Sequence, residues 1–187
     1  AQSRILEEAF LQSGLPYKLV GAQRFYGRRE IKDIIAYLRL VQNPNDEFSL
    51  SRVINVPTRG IGEKSVMELR KVSQQIGVPP GELIIEISGQ NSRYLDHFQK
   101  RVRQALSKFG VMFNGWRMAQ NQSTTLELMD RIIEDSGYRG YIDDGTDEGN
   151  DRWENIMELR RLAAEYQNQG LDDFLERVAL VSDQDTI

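Results

Sequence analysis

The chain has 187 residues, no cysteine and a formal net charge of −4. That length supports one true hydrophobic core, alone or with a fragment of a second domain. Without cysteine there is no disulfide framework and no thiolate metal site, and with no long apolar run and no signal peptide the composition fits the reducing cytoplasm, away from membranes. The average charge conceals an asymmetry: residues 1–117 hold 18 Lys/Arg against 11 Asp/Glu, a net of +7, and residues 118–187 hold 6 against 17, a net of −11. Such a split predicts a basic face suited to phosphates and an acidic part that points elsewhere.

In chain order, residues 3–13 read as a helix ended by Gly14, followed by a short strand at Tyr17–Val20. Ile31, Ile34, Ile35, Leu38 and Val41 fall on one face of a helix from about Arg28 to Gln42. Asn43-Pro44-Asn45 breaks it, and Asp46 caps a short helix over 47–54. A glycine hairpin follows, then a helix over about 63–76 with Val66, Leu69 and Val72 inward, and a short helix from Pro80 to near Gly89. The longest periodic stretch, about 92–119, sets Phe98, Leu106, Phe109, Phe113 and Trp116 at steps of three or four. Thr124 and Glu127 have the capping-box spacing and open a helix to about Asp135. After an acidic loop at about 143–151, read as solvated and mobile, come helices over about 151–167 and 171–182. The expected fold is mainly α, a multi-helix bundle with one short N-terminal strand.

The stretch Asn55-Val-Pro-Thr-Arg-Gly-Ile-Gly-Glu-Lys-Ser65 carries the most chemistry. Gly60 and Gly62 lack a Cβ and let a foreign backbone come close, and Ile61 between them is an apolar plug. The free N–H groups of the following helix start, with Lys64 and Ser65 in its first turn, suit a phosphate oxygen. This is the chemistry of a helix–hairpin–helix grip on a DNA backbone, with Thr58, Arg59, Gly60, Ile61, Gly62, Lys64 and Ser65 as the candidate contacts. Taken alone, the same residues also read as an inter-helix turn that uses two glycines.

Three segments in register decide between these readings: Ala1-Gln-Ser-Arg4, then Gly21 to Arg39 with Phe25-Tyr26, Arg28, Glu30-Ile-Lys-Asp33 and Ala36-Tyr-Leu-Arg39, then Asn55–Gly62. Together they resemble the superfamily 1A DNA helicases of the UvrD/PcrA/Rep type, where domain 2A hands over to the inserted domain 2B. The likeness is dense over residues 1–76 and weaker at 133–137 and 152–158; Ala22 departs from it, standing where the family usually has a second glycine. The resemblance implies that residues 1–24 are the edge of 2A and residues 25–187 are 2B. It implies a hinge or interdomain role for Phe25, Tyr26, Arg28, Glu30 and Lys32, which by themselves read as a helix entry. It further implies an accessory, swivelling domain that grips duplex DNA at a single-strand/double-strand junction ahead of a 3′–5′ motor. The partners would be the remaining helicase domains and protein regulators.

No G-x-x-x-x-G-K-[ST] run exists; Gly60-Ile-Gly-Glu-Lys-Ser65 lacks the glycine before the lysine. The chain therefore reads as an excised piece without catalysis or cofactor of its own, its parent using ATP and Mg. Two other classes stay open at this point: a protein-interaction module acting through the acidic half, and a free-standing enzyme. The second has no nucleotide loop, nucleophile–base pair or metal cluster to support it. Asp143–Asp151 fails the calcium-loop pattern, since Gly145 takes the third position. His97, the single histidine, reads as a surface or partly buried side chain. Lys100, Arg101, Arg103, Lys108 and Arg117 read as the solvated side of the long helix, and its aromatics as core.

Overall fold

The computed structural model describes residues 21–22, 24–89 and 92–182. The expected 3–13 helix and Tyr17–Val20 strand lie outside the described residues, among which there is no strand. The helices are α1 (Arg29–Gln42), α2 (Glu47–Val53), α3 (Glu63–Ile76), α4 (Pro80–Ser88), α5 (Lys100–Ala119), α6 (Thr125–Ser136), α7 (Tyr138–Ile142), α8 (Asp147–Ala164) and α9 (Leu171–Ser182). They form the multi-helix bundle that the periodicity predicts.

Helix α1 is the hub, packed against α2, α5, α6, α8 and α9. Its five expected core residues are buried, but so are Ala36, Tyr37 and Leu40 on other sides, and the polar Glu30 and Asp33. A helix buried on nearly every side is a central one, and its buried polar groups must find partners. Glu30 accepts from Asn155 Nδ2 of α8 at 2.8 Å. Asp33 accepts from Arg52 Nε of α2 at 2.8 Å and from the Tyr138 hydroxyl of α7 at 2.7 Å.

Helices α4 and α5 make the most extensive pair in the bundle. A Cβ added to Gly110 of α5 would lie 2.5 Å from the Ile84 carbonyl oxygen of α4, so the closeness of this pair depends on that glycine. Leu106, Phe109, Phe113 and Trp116 fill the centre beneath α1, with the Tyr37 and Trp116 rings edge to face at 5.5 Å.

Three boundaries differ from expectation. The long helix does not begin near residue 92: a 3-10 turn at Leu95–His97 precedes it, and Phe98 is extended. Extension turns Phe98 into the core, and the next N–H, that of Gln99, is taken by Glu68 of α3 at 2.9 Å. Helix α6 starts as expected, with both arms of the Thr124–Glu127 capping box formed. Helix α7, unforeseen, is held by Tyr138 and Ile142, one turn apart and both buried. Helix α8 starts at Asp147, so the second half of the expected acidic loop is its first turn. Thr146 caps it by accepting from the Gly149 N–H at 3.0 Å, and Asp147 and Glu148 sit favourably at the positive helix end.

Candidate functional site

The hairpin between α2 and α3 has an outer and an inner side. Outward lie Thr58, Gly60, Gly62 and Lys64, all exposed, with Ser65 half-buried. Inward lies Ile61, 1% exposed and part of the core, as a plug should be. Gly60 has φ +74°, a left-handed conformation that favours glycine; Gly62 is extended at φ −77°, ψ −178°. A Cβ built on either glycine would meet nothing within 4 Å, so the space over both is open to an approaching molecule.

Gly62 is the N-cap of α3 and supplies no side-chain acceptor to the first-turn N–H groups. Such groups and the helix dipole attract anions. Glu63 shares that first turn, and Lys64 beside it makes no ion pair among the described residues.

The inner side rests on residues that spacing alone did not single out. Asn55 Oδ1 accepts from the backbone N–H of Arg59 at 2.8 Å and of Ile61 at 3.2 Å, so one side chain folds the loop over itself. The Arg59 guanidinium, expected to face phosphate, is turned inward. Its Nη1 donates to the Val53 and Ile54 carbonyls at 2.8 and 3.2 Å, and its Nη2 donates to the Tyr37 hydroxyl. The same group lies over the Phe109 ring, 5.2 Å from its centroid. Tyr37 in turn donates to the Val56 carbonyl at 2.5 Å. Burial pushes the Tyr37 phenol above its usual pKa, and the Arg59 charge acts against that rise. An asparagine four residues before the arginine was the available signal; the tyrosine and phenylalanine come from distant helices.

The candidate hinge residues are distributed differently. Arg28 and Lys32 are exposed, whereas Glu30 is buried in its bond to Asn155. Phe25 and Tyr26 pack edge to face at 5.2 Å and line a groove with Tyr166, Phe174 and Arg177. Burial raises the Tyr26 pKa, with Tyr166 adding to it. Lys32 borders a second groove with Arg39, Arg52 and Phe48, the last 78% exposed.

Elsewhere, Phe98, Phe109, Phe113 and Trp116 are all core. His97 is exposed, and so are Lys100, Arg101 and Lys108; Arg103 pairs with Asp96 at 3.6 Å. In the acidic turn Asp144 accepts from the backbone N–H and hydroxyl of Thr146, which hold its carboxyl below the usual range. Among the described residues no group of three or more His, Cys, Asp or Glu is placed to hold a metal, and no helix is long and apolar enough to cross a membrane.

Comparison with known proteins places this architecture. The chain is similar to the ATP-dependent DNA helicase PcrA of Staphylococcus epidermidis, with 36% identity over 192 residues, covering 99% of this chain and 26% of that protein. The protein of the same name from Staphylococcus aureus is 35% identical over the same share of each chain. The chain thus spans about a quarter of the length of these relatives. A family model, the UvrD-like helicase C-terminal domain, matches residues 1–186, nearly the entire sequence. The chain belongs to the UvrD-like helicase C-terminal domain family.

Proposed function

We propose that residues 25–187 act as the 2B-type accessory domain of an ATP-driven DNA helicase, with residues 1–24 at the edge of its 2A domain. In this reading the domain swivels against the rest of the motor and grips the duplex at a single-strand/double-strand junction. Hydrolysis of ATP, with Mg, belongs to other parts of the motor, since this chain has no phosphate loop. Protein regulators would reach it through the acidic half.

The observation that carries the reading is the two-sided hairpin. Its apolar residue is sunk in the core, while two glycines, an exposed lysine and an uncapped helix start face outward together. Backbone N–H groups and a lysine hold phosphates without reading bases, so the grip is independent of sequence and weakens with salt. A motor that advances along any duplex needs that kind of contact.

Gly62→Val is the sharpest test. Its backbone angles are open to any residue and its Cβ would meet no protein atom, so the hairpin keeps its shape while the approach to phosphate is blocked. Titration of the full-length protein with duplex at low ionic strength should show weaker binding, with unchanged helix content by circular dichroism. Normal folding with undiminished affinity would reduce the hairpin to a turn.

A further inference from the structure

From the inward course of the Arg59 side chain we infer that Arg59 is a positioning residue, which locks the hairpin in its gripping shape from behind and neutralises no phosphate itself. The inference rests on the duplex-grip reading and assigns the division of labour within it.

The Arg59 guanidinium binds the end of α2 directly and reaches the hairpin and α1 through Tyr37. The Val53 and Ile54 carbonyls are the last residue and the C-cap of α2, where the helix exposes unsatisfied acceptors and the negative end of its dipole. A cation there is favourable on both counts. Through the Tyr37 hydroxyl, the same group reaches the Val56 carbonyl within the hairpin itself. Its central carbon lies over the Phe109 ring of α5. Meanwhile the Arg59 backbone N–H is bound to Asn55, which also holds the N–H of Ile61. Side chain and backbone of one residue therefore fix α2, the hairpin and the plug relative to α1 and α5.

Three of the five guanidinium N–H groups are engaged on the inner side, and that draws the charge away from the face a phosphate would approach. Lys64, exposed on the outer side, makes no ion pair among the described residues. The two cations of the hairpin thus do different work. A fixed planar fork is needed for the inner task and a simple point charge serves the outer one, so arginine and lysine cannot exchange places.

The test is duplex binding by the full-length protein at several salt concentrations, with amide hydrogen exchange across residues 55–65. Arg59→Ala should lower affinity roughly tenfold or more, as for the loss of charged hydrogen bonds. The log–log salt slope should stay unchanged, and amides 60–62 should exchange faster. Arg59→Lys should not rescue it, and Tyr37→Phe should reproduce part of the loss. Lys64→Ala should do the converse, flattening the slope by about 0.9 with exchange unaltered. Overturning results are a slope flattened by Arg59→Ala, full rescue by lysine, or unaltered exchange in the alanine variant. If Gly62→Val and Lys64→Ala leave binding intact, the grip reading fails instead, and exchange at 60–62 still reports whether Arg59 sets the loop.

Discussion

Two glycine-containing turns that lead into helices, the hairpin before α3 and the acidic turn before α8, solve the same backbone problem in opposite ways. At α8 the turn closes on itself: Asp144 accepts from Thr146, Thr146 accepts from Gly149, and Asp147 and Glu148 answer the helix dipole. At α3 the closing interactions lie behind the loop, on Asn55, Arg59 and Tyr37, and the front is left as glycine backbone with Glu63 and Lys64 side by side. An uncapped start alone distinguishes nothing, since α1, α4 and α5 also lack a side-chain cap. What separates the hairpin is that its bare backbone, its open glycine surface and its exposed cation coincide. A turn that satisfies itself serves the fold, and one stabilised only from behind keeps its front for something else.

The two regions are joined by Asp33 of α1, whose carboxylate holds Arg52 of α2 with one oxygen and Tyr138 of α7 with the other. Asp33 is almost wholly buried, so Asp33→Ala leaves the Tyr138 phenol without its acceptor and Arg52 with only the Arg29 carbonyl. Removal of one partner from such a site costs about 3 kcal/mol, the largest effect expected from a single substitution here. Urea denaturation measures it, and hydrogen exchange should rise in both α2 and α7. Loosening of one side alone would show that the regions are stabilised separately.

Charge reversal breaks the comparison directly. Lys64→Glu places a second acid beside Glu63 at the hairpin front and should weaken duplex binding by about 2 kcal/mol, roughly thirtyfold. Reversal in the other region, Glu148→Lys, disrupts the ion pair with Arg152 and one favourable charge at the start of α8, and should leave duplex affinity alone. Both are read by the same titration at low salt. An affinity gain from Glu148→Lys as large as the loss from Lys64→Glu would place the acidic turn beside the DNA as well.

Much of this was legible in the sequence. Periodicity located α3, α4, α6 and α9 almost to the residue because each has one apolar stripe and clear end signals, such as Thr124 with Glu127. It misjudged the entry to α5, since Leu95 and Phe98 keep helical spacing even though a tertiary acceptor, Glu68, pulls the chain out of the helix. It also read Asp147–Asn150 as loop, because acidic residues look like linker until Thr146 is recognised as a cap. The outward and inward sides of the hairpin followed from Gly-Ile-Gly. The inward course of Arg59 did not, because its partners Tyr37 and Phe109 are 22 and 50 positions away and no local pattern announces them.

Tyr138 offers a smaller effect with a sign fixed by linkage. Burial, reinforced by the Asp33 carboxylate, raises its pKa well above the ordinary tyrosine value. The unfolded chain releases this proton near pH 10, whereas the folded chain keeps it to higher pH. The folded state therefore binds more protons, and the stability held below about pH 10 falls as pH rises beyond it. Tyr138→Phe should lose about 1.5 kcal/mol at neutral pH through the unpaired Asp33 oxygen, yet show a shallower alkaline decline than the parent. Urea midpoints at pH 7, 9 and 11 measure both. An equally steep decline in the variant would mean that Tyr138 does not govern it.

Thr146→Ala isolates the self-closing turn with the smallest change. It removes the acceptor for the Gly149 N–H and one donor to Asp144, while the exposed acids keep their charge. Loss of a threonine cap costs about 1 kcal/mol, and Thr146→Ser should restore most of it, because the hydroxyl does the capping. Duplex affinity and its salt slope should be untouched in both variants, since the exposed Gly145 of this turn is flanked by acids that repel phosphate. The same titration that registers Lys64→Glu would detect an exception. If Thr146→Ala altered the salt slope while Thr146→Ser did not, the acidic turn would be setting the DNA-facing geometry, and the division between a closed turn and an open one would fail.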